Sequence, residues 1–223
     1  QRPNWNGLLL SPANASKLAD QLAQMRGAAM KVGQLMSMDS GTMLPPEFAQ
    51  ILARLRSEAQ PMPPPQLKKV LTAYWGPQWL RQFISFDVRP IAAASIGQVH
   101  RAKTKDGREL ALKIQYPGIR KSIDSDVDNI AMLIKMSGLL PRDLDITSLL
   151  EQAKQQLHDE AQYQREGQYL EQFGKLLADK RDFKVPALYE DLTTPDILAM
   201  SYVSGYPIEA LASAPQAARD RVV

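Results

Sequence analysis

Cysteine is absent from all 223 residues. That excludes disulfide staples, thiolate zinc sites and thiol nucleophiles together. Histidine is scarce, with only His100 and His158, far apart in sequence. A Ser-His-Asp triad or a multi-histidine metal centre is not expected, and each imidazole is read as structural. An excess of one charge is also missing. The 27 Lys+Arg against 24 Asp+Glu leave a net charge of +3, which gives no electrostatic reason to expect a nucleic-acid partner. No apolar run approaches the ~20 residues of a membrane span, and no signal peptide is visible. Disorder is excluded by the 44% apolar content, and the length suits one large domain or two small ones. Because the chain opens at Gln1 without Met and stops at Val223 without a stop signal, it is expected to be a piece of a longer protein.

Residues 1–14 lack periodicity and read as a tail. From Ala15 the positions Leu18, Leu22, Met25, Ala29, Val32 and Met36 recur at helical steps and define one buried face. Gly27, Lys31, Gln34 and Met38 fall opposite, so this helix is expected to be covered on two sides. Pro45-Pro46 opens a second helix, with a Phe48, Ile51, Leu52, Leu55 stripe. A stiff linker at 61–65 leads to a third helix over 66–75, ended by Gly76-Pro77. The period then changes to two. Strands are expected at 83–88, 96–102 and 109–115, with Asp106-Gly107 turning the last pair. Two helices follow at about 120–138 and 148–178, the second opened by a Ser148/Glu151 capping box. Strands at 185–189 and 197–202 and a helix near Ile208 complete the order. This is an α+β chain with a mainly antiparallel sheet.

The chemistry begins at Ala92-Ala93-Ala94-Ser95-Ile96-Gly97-Gln98-Val99. Its small residues have the spacing A-x-A-x-x-G-x-V, where a protein-kinase phosphate loop has G-x-G-x-x-G-x-V. Such a loop brings backbone N–H groups close to phosphate oxygens. Alanine permits the approach but narrows the backbone's choices. Alone, this run reads equally as a tight turn. Fourteen residues beyond Val99, Lys113 stands in the middle of the third strand, where a kinase places the lysine that holds the α- and β-phosphates. Such a lysine needs a carboxylate from a nearby helix, and the 148–178 segment offers Glu160 and Glu166. Glu160 shares the stripe of Leu149, Ala153 and Leu157, so it needs a cation. Lys31 is the expected partner.

Arg26-Gly27-Ala28-Ala29-Met30-Lys31-Val32-Gly33-Gln34 contains a K-x-G-Q signature. With the Ala-rich loop and Tyr163-Gln164-Arg165-Glu166, it resembles the UbiB family of atypical protein-kinase-like proteins over about residues 15–205. The resemblance implies a kinase-like small lobe with a helical extension, divided as a tail (1–14), an extension (15–76), a small lobe (77–203), and a hinge with the start of a large lobe (204–223). Lys113 and Glu166 would be the nucleotide lysine and its helix glutamate. Ala92, Ala93, Ala94, Ser95, Ile96, Gly97 and Val99 would form the nucleotide loop. Lys31, Gly33, Gln34 and Glu160 would belong to the extension over the active site. The family's E-x-D motif reads Glu160-Ala161-Gln162 here, with Gln in place of the second acid.

The resemblance further implies ATP or ADP with Mg²⁺, no metal ligand within this chain, and an ATPase that supports isoprenoid-quinone synthesis. A membrane surface or quinone-precursor lipid is the implied partner, and the 46–58 helix is compatible with the former. The implied location is cytoplasmic, peripheral at a bacterial inner membrane, or mitochondrial. The rival reading is a non-catalytic, pseudokinase-like module that binds a lipid or protein.

Overall fold

Beyond Gly76, three- and four-residue apolar periodicity gives way to alternation, and there helices give way to a sheet. The computed structural model describes residues 12–38, 46–57, 61–137, 145–206 and 208–220. The first helical stretch is two helices, α1 (Pro12–Gln24) and α2 (Arg26–Met38), hinged at Met25. Next come α3 (Pro46–Ser57) and α4 (Pro64–Trp75), which ends at Gly76 with φ of 80°, a conformation only glycine adopts freely.

A five-stranded antiparallel sheet follows: β1 (Phe83–Phe86), β2 (Ala92–Ala93), β3 (Gly97–Thr104), β4 (Glu109–Gln115) and β5 (Ile197–Ser201). The order is β1-β3-β4-β5, with β2 pairing alongside β3. Helices α5 (Ile119–Ser137), α6 (Thr147–Glu160) and α7 (Tyr163–Leu176) lie between β4 and β5 in sequence. Short helical turns at Ile208–Leu211 and Gln216–Arg219 occupy the place of the helix expected near Ile208.

Alternation along β4 sends Leu110, Leu112 and Ile114 to one face, all fully buried. They pack with Leu67 and Leu71 of α4 and with Trp79 and Phe83. The opposite face carries Lys113 beside Leu198 of β5. On that side lies the larger core, which joins α1, α2 and α3 to α5, α6 and the start of α7. Ile51, Leu52 and Leu55 of α3 are buried there, so these residues of the amphipathic stripe are committed to the protein's own core. This is the α+β small-lobe arrangement with an N-terminal helical extension.

Further details differ from the sequence reading. The 148–178 segment breaks at Ala161-Gln162, although neither residue is a helix breaker. The Ala161 carbonyl is taken by Gln115 Nε2 of β4 at 3.1 Å and Arg120 Nε of α5 at 3.0 Å. Residues 185–189 form only an isolated bridge, Leu188 with Met200; Pro186 lacks the N–H a strand would need. The Ser148/Glu151 box is also not formed. Ile146 is the N-cap, with no side-chain cap, and Asp145 instead accepts from Thr147 N at 2.9 Å. The tail expected over 1–14 overlaps α1 at Pro12, and residues 1–11 lie outside those described.

Both histidines are tied to their surroundings. His158 meets Asp124 on the surface at 2.9 Å. Fully buried His100 stacks on Phe86 and bridges Gln98 Nε2 and the Asp87 carbonyl, each at 2.7 Å. Gln98 Oε1 also accepts from Met62 N at 2.7 Å, so this buried chain fastens the proline-rich linker to the sheet. Desolvation holds the His100 imidazole below its ordinary pKa.

Candidate functional site

Lys113 sits at the centre of β4, opposite Val99 of β3 and Leu198 of β5. Strand alternation leaves its side chain on the helix-covered face. There Nζ donates to both carboxylate oxygens of Glu166, each at 2.8 Å. Glu166 lies in the first turn of α7, where the positive end of the helix dipole also favours a carboxylate. The pair is only partly covered, with side-chain exposures of 17% and 37%. The glutamate is the more exposed partner. The Tyr163 ring covers one side of the ammonium, with its centroid 4.8 Å from Nζ.

The Ala-rich segment is a hairpin. Ala92 pairs with Val99 and Ala93 with Gln98. Ala94 N donates to Gly97 O at 2.9 Å, leaving Ser95 and Ile96 as the tip. No non-glycine residue among those described has positive φ, so Ala92 and Ala94 bring no backbone strain. Gly97 is required for proximity: a β-carbon there would lie 2.4 Å from the Ile114 carbonyl. The tip is pinned. Ile96 enters the helical core, and Ser95 Oγ donates to Glu160 Oε2 at 2.7 Å.

Helix α2 completes this anchor. Lys31 is buried and pairs with Glu160 Oε1, as the helical arithmetic expects. Arg26 reaches the Ala94 carbonyl at 3.3 Å and the Leu55 carbonyl at 3.0 Å. Gly27 lets α2 approach the hairpin, since a β-carbon would meet Ser95 O at 2.7 Å. Gly33 makes room for Leu52 of α3. Gln34 is exposed and, with Lys31 and Ala94, borders a groove of about 840 Å³ between α2, α3 and the hairpin. Gln162, at the place of the motif's second acid, is exposed and is the N-cap residue before α7.

Glu160 and Glu166 thus flank a helix break and serve different lysines. Sequence reasoning missed Arg26, the Ser95 hydroxyl and Tyr163 as participants. Arg26 and Tyr163 lie inside the two recognised motifs, but only the folded chain shows what they touch. A lysine held by a partly exposed carboxylate beside a tight hairpin suits an anionic phosphate group. Among the described residues no group of three His, Asp or Glu side chains could hold a metal ion, so no metal ligand is assigned.

Comparison with known proteins gives a consistent picture. Residues 54–223 match the ABC1 atypical kinase-like domain. The atypical kinase COQ8 of Saccharomyces cerevisiae, a mitochondrial protein, is 40% identical over 214 residues, covering 96% of this chain and 43% of that protein. The mitochondrial atypical kinase COQ8B of Rattus norvegicus is also 40% identical, covering 96% of this chain and 40% of its own length. Among solved structures, Rv3197 of Mycobacterium tuberculosis in complex with erythromycin matches with a TM-score of 0.58 and 30% identity, covering 93% of this chain and 53% of that one. The chain spans less than half the length of these curated relatives.

Proposed function

Because this chain belongs to the ABC1, or UbiB, family of atypical kinase-like proteins, we propose that it is the nucleotide-binding small lobe of an atypical kinase or ATPase. The observation that carries the reading is the bidentate Lys113–Glu166 pair beside the Ala-rich hairpin. Glu166 keeps the ammonium extended, and the ammonium then orients the phosphates of ATP or ADP. Residues 92–97 and Val99 border the nucleotide, and the hairpin's fixed tip limits how far it closes. Bound Mg²⁺ would neutralise phosphate charge; no ligand for it is assigned among the described residues.

The extension residues Lys31, Gly33 and Gln34, with Glu160, act over the site. With α2 against the hairpin tip, a protein substrate meets this helix before it meets the nucleotide. This supports a small-molecule or lipid role over protein phosphorylation. The groove beside Lys31 is lined by Met30, Met38 and Leu52 together with Arg26, Gln34 and Glu160, a mixed surface compatible with an isoprenoid-quinone precursor that carries a polar head. The whole protein then hydrolyses ATP in support of isoprenoid-quinone synthesis. No helix among the described residues is long and apolar enough to cross a membrane, so attachment through these residues would be peripheral.

The test is thermal stabilisation by Mg-nucleotide. Lys113→Ala should abolish the nucleotide-dependent rise in Tm while leaving the unliganded Tm within a few degrees, because the ion pair it removes is partly exposed and Glu166 keeps access to water. Equal rises in mutant and wild type would overturn the reading.

A further inference from the structure

Tyr163 is fully buried, yet its hydroxyl makes no hydrogen bond among the described residues. The neighbouring Gln115 amide is close enough to act on the phenol, but its bonds of good geometry run elsewhere: it donates to Ala161 O at 3.1 Å and accepts from Arg120 Nε at 3.2 Å. A buried hydroxyl without a partner is costly, so the residue is not explained by hydrogen bonding. Its position explains it better. The hydroxyl fits the space left by the missing side chain of Gly97, where a β-carbon would lie 2.9 Å away. The ring face lies under the Lys113 ammonium at 4.8 Å. Burial, followed by the charges of Glu166 and Glu160, pushes the phenol well above its ordinary pKa. It therefore stays neutral beside both carboxylates.

We propose that Tyr163 is a positioning residue for Lys113, its ring forming a cation–π platform beneath the ammonium, held in place by the burial of the ring itself. The proposal rests on the nucleotide reading of Lys113. Glu166 pulls the ammonium toward α7 and Tyr163 supports it from below, so the side chain remains extended when phosphates arrive. The aromatic face does this work; proton donation by the hydroxyl has no part.

The experiment uses the protein labelled with ¹³C-lysine and compares wild type with Tyr163→Phe and Tyr163→Met. A ring face shields nuclei above it, so the Lys113 Hε resonance, identified by its loss in Lys113→Arg, should lie upfield in wild type and in the Phe variant. It should return to the ordinary lysine position in the Met variant, which fills space without a π face. Affinity for Mg-nucleotide should be kept by Phe and fall about three- to ten-fold in Met, the range of one partly desolvated cation–π contact. An ordinary Lys113 resonance in wild type overturns the proposal whatever the nucleotide does. So does a Met variant that binds like wild type, or a Phe variant that loses affinity. If Met fails to fold, the wild-type resonance and the Phe variant decide. A wild type with the upfield resonance but no nucleotide stabilisation overturns the nucleotide reading itself, and the positioning role with it.

Discussion

Two lysine–carboxylate pairs lie on the same side of the sheet, and they are built differently. Lys113–Glu166 joins a strand to a helix start, and both partners keep access to water. Lys31–Glu160 joins two helices across the core; its lysine is 8% exposed, and Ser95 engages the second carboxylate oxygen. The first pair can be displaced by a ligand at small cost. The second is held more firmly, because its lysine is more buried and Ser95 also holds Glu160, although the pair borders the groove between α2, α3 and the hairpin. The two pairs are made from the same two residue types and differ in the burial of the lysine and in the added Ser95 contact.

The strongest way to break this contrast is Gly27→Ala. The added β-carbon meets Ser95 O at 2.7 Å, and a backbone carbonyl cannot swing aside. Overpacking of this kind costs about 1–3 kcal/mol, and we expect the upper end. Chemical denaturation should show it, together with weaker nucleotide binding, since the hairpin tip must shift. Unchanged stability would mean that α2 does not bear on the hairpin.

Next comes a double-mutant cycle with Lys31→Met and Glu160→Gln. A wholly buried pair that loses one member costs about 3–5 kcal/mol. Glu160 keeps 32% exposure and the Ser95 contact, so a coupling of about 1–3 kcal/mol is expected. Additive effects would mean that the anchor carries no energy. The same cycle with Lys113→Met and Glu166→Gln sharpens the comparison from the other side. That more exposed pair should give about 0–1 kcal/mol, with the loss appearing in nucleotide affinity instead. Equal couplings in the two cycles would erase the distinction.

The smallest effect, nil above neutrality, belongs to the opposite face of the sheet. His100 has its folded pKa lowered by desolvation, so the unfolded imidazole takes up a proton that the folded one refuses. Stability should be full above pH 6.5 and should decline as pH falls below it. Protonation makes both ring nitrogens donors, and Gln98 could then no longer serve both His100 and Met62. His100→Gln should flatten the acid limb of a Tm-against-pH curve; an unchanged limb would move the acid sensitivity elsewhere.

Local chemistry in the sequence was enough for much of this protein. Alternation over 109–115 fixed the Lys113 face, because successive strand side chains must point oppositely. Asp106-Gly107 turned the hairpin, with Gly107 at φ of 92°. Helical spacing put Glu160 on an apolar stripe in need of a cation. The small residues of 92–97 and the K-x-G-Q run were legible for the same reason: close approach restricts side-chain size at each position.

Only the tertiary structure decided what depends on partners distant in the chain. The break at Ala161-Gln162 arises because Gln115 and Arg120 take a carbonyl from the helical ladder, and no local propensity encodes that. Separate helices then aim Glu160 and Glu166 at different lysines. The grip of Ser95 on Glu160, of Arg26 on the hairpin and of Tyr163 beneath Lys113 are likewise contacts across 65, 68 and about 50 residues. Sequence specifies which groups need a partner; folding settles which partner arrives, because burial makes a wrong or missing one costly.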